Sequence, residues 1–294
     1  MVIDVRAAGV VFPDVLKTRG LYQERPELPF VLGQECAGVV RSAPVASGLR
    51  PGDRVAAFTP QGAFAEVVAV DAGLVLPLPE GVPFEKAACL PLNYLTAHAA
   101  LVHRGRLTAG ETVLVHGAAG GIGTASIQVA KALGARVIGV VSDTTRAEVA
   151  RVAGADWTVG VDGFRDAVAE LTAGVGVDIV VDPVGGDRFT DSLRCLAPEG
   201  RLLVVGFTGG SIPTVKVNRL LLTNTEVVGV GWTNLIRKPG FVTWQWTELQ
   251  SHLLSGALAP MVGATLPLER AAEALEMIEQ RRAVGKIVLT LGAE

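Results

Sequence analysis

The stretch Thr112–Asp143, TVLVHGAAGGIGTASIQVAKALGARVIGVVSD, decides the fold of this chain. Val113, Leu114 and Val115 make a short apolar strand, and a glycine-rich turn from Gly117 to Gly123 follows at once. The spacing predicts a helix from about Thr124 to Leu133, stopped by Gly134, and then a β-branched strand over Arg136–Val141. Glycine in such a turn lets backbone approach a pyrophosphate closely. The N–H groups and positive dipole of the helix start then attract the anion. A lone glycine triplet is weak evidence, but here it sits between strand and helix inside one βαβ unit. Gly120, Gly121, Ile122 and Gly123 are therefore candidate donors to a dinucleotide, with Ser126 at the third small position of the fingerprint.

Downstream, strand and helix keep alternating. Strands are expected at Thr112–His116, Arg136–Val141, Trp157–Val161, Asp178–Val181, Arg201–Gly206 and Glu226–Gly231. Helices are expected near Thr124–Leu133, Thr144–Val152, Arg165–Leu171, Arg188–Leu196 and Val217–Thr223. That rhythm predicts a doubly wound parallel sheet that binds its ligand at the carboxyl edge. Upstream the pattern differs. Val2–Ala8, a strand around Gly38–Val40 within Val31–Arg41, Arg54–Phe58, Phe64–Val70 and Leu74–Leu78 read as short strands separated by turns, the signature of an antiparallel barrel. Pro83–Thr96 reads as a helix with Ala87, Ala88 and Leu90 on its apolar face, kinked by Pro91. After Gly231 come helices over Thr243–Leu254 and Leu268–Gln280, the latter with Ala271, Ala274, Leu275 and Ile278 on one side, and a final strand at Ile287–Leu291. The implied division is a barrel domain over 1–92, a dinucleotide domain over 93–232, and a return to the barrel domain over 233–294.

Composition narrows the function classes. The chain has 294 residues, 49% hydrophobic and 19% charged, with a net charge of −3 and no basic block. A packed globular protein fits these values, whereas nucleic acid and anionic membrane surfaces are poor partners. No apolar run is long enough to span a bilayer, and Asp4 and Arg6 interrupt the opening run, unlike a secretory signal. Cys36, Cys89 and Cys195 are scattered and odd in number, so neither a disulfide framework nor a zinc knuckle is expected, and a cytoplasmic protein is. The four histidines do not converge: His116 reads as structural, and His98, His103 and His252 as helix-surface residues. No nucleophile–base arrangement or carboxylate pair suggests hydrolysis.

An ordered set of motifs then carries a resemblance. AAGVVFPDVL, LPFVLGQECAGVV, LRPGDRVAAF, the Gly120–Gly123 turn, VDPVGG at Val181–Gly186, GRLLVVGF at Gly200–Phe207 and GKIVL at Gly285–Leu289 span nearly the whole chain. Together they resemble the zinc-independent quinone oxidoreductase, or zeta-crystallin-like, branch of the medium-chain dehydrogenase/reductase superfamily. The resemblance implies an α/β protein with a GroES-like antiparallel β-barrel catalytic domain and a Rossmann dinucleotide-binding domain. Members usually begin with an extra strand or two before Val2–Ala8, so either this start is internal or the barrel is short of an edge. The catalytic zinc ligands of the superfamily's metal enzymes fall at Val11, Gln34 and about Leu92, none a good zinc donor, so no metal is expected. Without a Lewis acid, alcohol oxidation is disfavoured. A conjugated carbonyl or quinone suits such a site better, because hydride attack gives a delocalised anion that a few hydrogen bonds can hold.

The resemblance also assigns residues. Asn93 and Thr96 approach the phosphates and nicotinamide, although Asn93 could instead cap a broken helix. Gly206, Phe207, Val230, Gly231 and Trp232 end consecutive strands, where members bind the carboxamide and flank the ring; core packing is the rival role for Phe207 and Trp232. Ser142 and Arg146 stand where members bind the 2′-phosphate of NADPH, although Asp143 lies near the place of an acid that would hold ribose hydroxyls and favour NADH. Many members carry a tyrosine near residue 161, where this chain has Val161. NADPH is the expected cofactor. Phe12, Tyr22 and Trp232 are the substrate-binding candidates, and Tyr22 is the candidate catalytic hydrogen-bond donor; packing of a loop tyrosine on the barrel is its rival role. Val11 stands where members often have asparagine, which favours an apolar acceptor. The expected activity is NADPH-dependent hydride transfer to small quinones or other α,β-unsaturated carbonyl compounds. A 2-enoyl thioester reductase is the alternative within enzymes, but no basic cluster for a CoA tail is evident. A low-turnover NADPH-binding sensor or structural protein is the alternative outside them. A homodimer joined along Glu226–Gly231 is implied by analogy.

Overall fold

The computed structural model describes residues 1–292 and divides into two compact units. The first holds Met1–Leu95, Ile236–Leu254 and the chain from Pro260 onward; the second holds Thr96–Leu235 and Ser255–Ala259.

The first unit opens with β1 (Val2–Val10), β2 (Glu35–Ser42), β3 (Arg54–Phe58), β4 (Val67–Ala69) and β5 (Val75–Pro77). The second carries β6 (Thr112–Val115), β7 (Arg136–Val141), β8 (Trp157–Gly160), β9 (Val177–Asp182), β10 (Leu196–Val204) and β11 (Glu226–Gly229). The chain then returns to the first unit with β12 (Val262–Pro267) and β13 (Lys286–Thr290). In the first unit the sheet order is β12-β13-β1-β2-β3-β5, with β4 also paired to β1. Every pairing there is antiparallel except β12 with β13. Ile3, Val5, Ala8 and Val10 of β1 join Val40, Val55, Ile287 and Leu289 in one apolar core. Ala274 of the Ala271–Glu279 helix is buried in that core, with Ala271, Leu275 and Ile278 packed beside it, which is the side their spacing marked.

The second unit has six parallel strands in the order β11-β10-β9-β6-β7-β8. The chain runs outward from β6 through β7 and β8, then starts again at β9 on the other side of β6. That reversal is the topological switch point, beyond whose strand ends open α/β sheets bind ligands.

Several local expectations need correction. The Gly121–Ala132 helix starts three residues before Thr124, because extended Gly120 serves as its N-cap and the glycine turn is its first turn. The Phe12–Thr18 helix and β12 carry no clear period in the sequence and were not expected. β2 spans Glu35–Ser42 around the expected Gly38–Val40 centre, whereas β4 spans three residues rather than Phe64–Val70. The Pro83–Thr96 stretch is a short helix, Phe84–Ala87, and then a π-helical segment, Leu90–Tyr94, with Pro91 in its first turn. A proline lacks the donor for a regular i→i−4 ladder, and π-type turns absorb such defects. His98 is not on the surface; it is buried in the Leu95–His98 helix, among alanines and leucines that are themselves buried. His103 and His252 are half-buried.

Candidate functional site

At the carboxyl edge of the parallel sheet, the loops after β6, β9 and β10 are tied to one another. The main-chain N–H of His116 donates to Val181 O and that of Ala118 to Val140 O, so the start of the turn is pinned to both neighbours of β6. Gly117 takes a left-handed φ of 58°, and Gly120 N closes the turn on Gly117 O at 2.9 Å. A Cβ on Gly123 would lie 2.1 Å from Gly117 O and 2.7 Å from Ala118 Cα, so the helix packs directly on the turn. A Cβ on Gly120 would meet nothing nearer than Gly117 O at 3.4 Å. Backbone packing thus requires Gly123, whereas Gly120 leaves the turn's outer side open to an approaching anion.

Asp182, at the end of β9, accepts from Val184 N and Gly185 N, both at 2.9 Å, which folds the VDPVGG turn back on the strand. Burial raises its carboxyl above the usual range, against the pull of those two bonds. Thr208 N then donates to Pro183 O, and Gly209 N to Val184 O, drawing the loop after β10 onto it. Gly206 and partly exposed Phe207 lie in that loop; Val230 is buried, Gly231 exposed, and Trp232 only 3% exposed. Thr96, in the Leu95–His98 helix of the same stretch, is buried. His116 bonds Ser192 Oγ through Nε2 at 2.8 Å and meets the Phe164 ring edge-on. Since Ser192 Oγ donates to Arg188 O, the imidazole is the donor of that pair. Burial, with Arg188 nearby, lowers its pKa to about 3, so it stays neutral and brings no charge to the turn.

Beyond β7, Asp143 caps the Thr144–Val152 helix. Its Oδ1 accepts from Arg146 N at 2.8 Å; its Oδ2 accepts from Ser142 Oγ at 2.9 Å and from Arg146 Nη1. The backbone bond from Arg146, then its guanidinium, hold the carboxyl below the usual range. The structure therefore places Ser142, Asp143 and Arg146 in one cluster.

In the first unit, buried Val11 precedes the Phe12–Thr18 helix, and Phe12 is half-buried at its first position. Buried Asp14 accepts from Val11 N at 3.0 Å and from Gly33 N at 3.2 Å, joining the helix start to the approach of β2. Lys17 Nζ donates to Pro60 O and stands over the Tyr22 ring, 5.4 Å from its centroid. The Tyr22 phenol is raised by burial and by repulsion from Glu24, against the opposing pull of the Gln23 and Gln34 side chains. A tyrosine so placed stays protonated and can donate. Gln34 is buried beside it, and the next residue, Glu35, accepts from Leu92 N at 2.8 Å and ion-pairs with Lys286; both charges are buried. Asn93 is buried within the π-helical segment Leu90–Tyr94 rather than at its cap. Val11 and Leu92 have hydrocarbon side chains and Gln34 a neutral amide, so this donor set does not fit zinc. Among the described residues, no group of three or more His, Cys, Asp or Glu could hold a metal ion.

Asp14, Lys17, Glu35 and Lys286 were not singled out in the sequence. The signal available was a charge inside an apolar run, in FPDVLKT, GQECAGVV and GKIVL, where burial demands a partner.

Burial raises the Asp14 carboxyl from 3.8 to about 6, against its two backbone bonds and the nearby Lys286 and Lys17 charges. The folded chain thus holds this proton more tightly than the unfolded chain. The resulting stability is full below pH 3.8 and is lost as pH rises through about 6. Relative to Asp14→Asn, the wild type is expected to lose about 2 kcal/mol between pH 4 and 7. Urea midpoints of both chains across that range check the sign.

Two family models match the chain: an alcohol dehydrogenase GroES-like domain over residues 1–80 and a zinc-binding dehydrogenase domain over 121–246. Mouse quinone oxidoreductase-like protein 2 is 38% identical over 98% of this chain and 84% of its own length. The Escherichia coli quinone oxidoreductase solved with NADPH superposes with a TM-score of 0.91 at 31% identity, covering 99% of this chain and 91% of that one. The Thermus thermophilus quinone oxidoreductase, also solved with NADPH, gives a TM-score of 0.87 at 36% identity over 99% and 91%. The fold and these likenesses define a two-unit dehydrogenase/reductase of the medium-chain superfamily. Within it, the chain belongs to the zinc-independent quinone oxidoreductase branch.

Proposed function

We propose that this protein is an NADPH-dependent reductase that passes a hydride to quinones or other α,β-unsaturated carbonyl compounds, without zinc. The observation that carries the reading is the glycine turn at the switch point of the parallel sheet, open at Gly120 and closed at Gly123. The donor set at Val11, Gln34 and Leu92 supports it from the first unit.

When bound, NADPH supplies the hydride. Gly120, Gly121, Ile122 and Gly123 would offer backbone N–H groups to its pyrophosphate, and Ser142 and Arg146 would face the 2′-phosphate. Asn93 and Thr96 would approach the phosphates, and Gly206, Phe207, Val230, Gly231 and Trp232 would flank the nicotinamide. Phe12 and Trp232 would bound the acceptor. Tyr22 would donate its phenolic proton in a hydrogen bond to the carbonyl oxygen on which charge develops.

The test is NADPH consumption over a panel of ortho- and para-quinones, enones and enoyl thioesters, repeated with NADH. Tight NADPH binding with no oxidation by any quinone or enone would sink the reading. Tyr22→Phe is expected to lower kcat on the order of tenfold, the worth of one hydrogen bond, with NADPH affinity unchanged. An unchanged kcat would remove Tyr22 from the chemistry.

The same reading includes a cytoplasmic homodimer. β11 is an edge strand, and Leu221 and Leu222, just before it, are both exposed. An open edge beside apolar side chains suits pairing with a second copy. Light scattering on the purified chain gives the mass that decides it. No helix among the described residues is long and apolar enough to cross a membrane.

A further inference from the structure

The Ser142–Asp143–Arg146 cluster contains two opposite charges where the adenosine end of the cofactor is expected. We propose that Asp143 is a specificity-determining residue that opposes NADPH, because it already holds the Arg146 guanidinium that a 2′-phosphate would need. The inference rests on the reading that Arg146 faces that phosphate.

The geometry has three parts. Asp143 receives three hydrogen bonds on two oxygens, two of them from Arg146 and one from Ser142. The acid is thereby committed to capping its own helix, rather than standing ready for ribose hydroxyls as it would in a site built for NADH. Both candidate phosphate ligands, Ser142 and Arg146, are turned towards this carboxylate. A dianionic phosphate entering here must displace a carboxylate from the guanidinium and then stay beside it as a like charge. Arg146 attracts the 2′-phosphate and Asp143 repels it, so the pair narrows the choice between the two coenzymes.

Asparagine separates the two roles of Asp143. It caps helices as well as aspartate does, and its Oδ1 can still accept from Arg146 N, so the helix start is kept while the charge is removed. The experiment measures calorimetric affinities of the full-length protein for 2′,5′-ADP and 5′-AMP, which differ only in the 2′-phosphate. The readout is the ratio of their affinities, independent of turnover. Asp143→Asn is expected to raise preference for 2′,5′-ADP about tenfold, or about 1.4 kcal/mol, with 5′-AMP affinity unchanged. Arg146→Ala should lower that preference, and the double variant should show no gain over Arg146→Ala. A ratio that is flat or falls in Asp143→Asn, while Arg146→Ala still lowers it, overturns the inference and keeps the phosphate reading. A ratio unmoved by Arg146→Ala overturns both.

Discussion

Gly123→Ala is expected to abolish folding of the second unit, while Gly120→Ala, three residues away in the same turn, leaves it folded. The methyl at 123 would sit 2.1 Å from Gly117 O, 2.7 Å from Ala118 Cα and 2.8 Å from Ala118 C. All three atoms are backbone, and no rotamer can relieve the overlap. Moving them means moving a turn whose Ala118 N bonds β7 and whose preceding residue bonds β9. A loss above about 4 kcal/mol follows, the range reserved for such steric failures, and the variant should accumulate as insoluble chain. At 120 the methyl meets one oxygen at 3.4 Å, so circular dichroism and the melting midpoint should stay near wild type. NADPH affinity should instead fall more than about tenfold, because the methyl occupies the side from which the pyrophosphate approaches. A soluble, fully folded Gly123→Ala, or a Gly120→Ala with unaltered affinity, would show that the turn is not built as argued.

Lys286→Met is expected to cost the first unit about 3–5 kcal/mol, the penalty for leaving a buried carboxylate without its partner. Glu35 is completely buried, and Lys286 is 4% exposed. Glu35 has little room to move, since Gly9 would already clash with its Oε1 if it carried a side chain. Glu35→Gln keeps an acceptor for Leu92 N and removes the charge. The double variant Glu35→Gln, Lys286→Met is therefore expected to recover much of the loss, because Glu35 is then no longer a buried ion without its partner. Urea unfolding followed by fluorescence of Trp246, whose Nε1 donates to Pro77 O within the first unit, reads that unit once Trp157 and Trp232 of the second unit are changed to phenylalanine. If the double variant is no more stable than Lys286→Met, charge burial is not the cause.

These two sites differ in how much of them can be read from residue order. The glycine turn was legible because strand, turn and helix are consecutive, and the steric demand acts between neighbours in sequence. The parallel sheet was legible for the same reason, since each strand–helix repeat carries its own period. Within the turn, however, the roles of Gly120 and Gly123 are indistinguishable by residue type, and only the packing of the helix onto Gly117 separates them. The helix at Phe12–Thr18 escaped detection because it is seven residues long and is anchored by Asp14, whose bond to Gly33 spans 19 positions. His98 reads as a surface residue because the alanines flanking it in sequence carry little apolar weight in a helical period, although it is buried.

The order of residues alone determined the fold class, the dinucleotide turn and the absence of zinc-type donors at Val11, Gln34 and Leu92, since each is a matter of local pattern or side-chain chemistry. Tertiary structure alone decided that Asp14 is buried enough to titrate near 6, and that Glu35 and Lys286, 251 positions apart, neutralise each other. Charge states and partners depend on distance and on exclusion of water, and neither quantity exists until the chain has closed around the groups concerned.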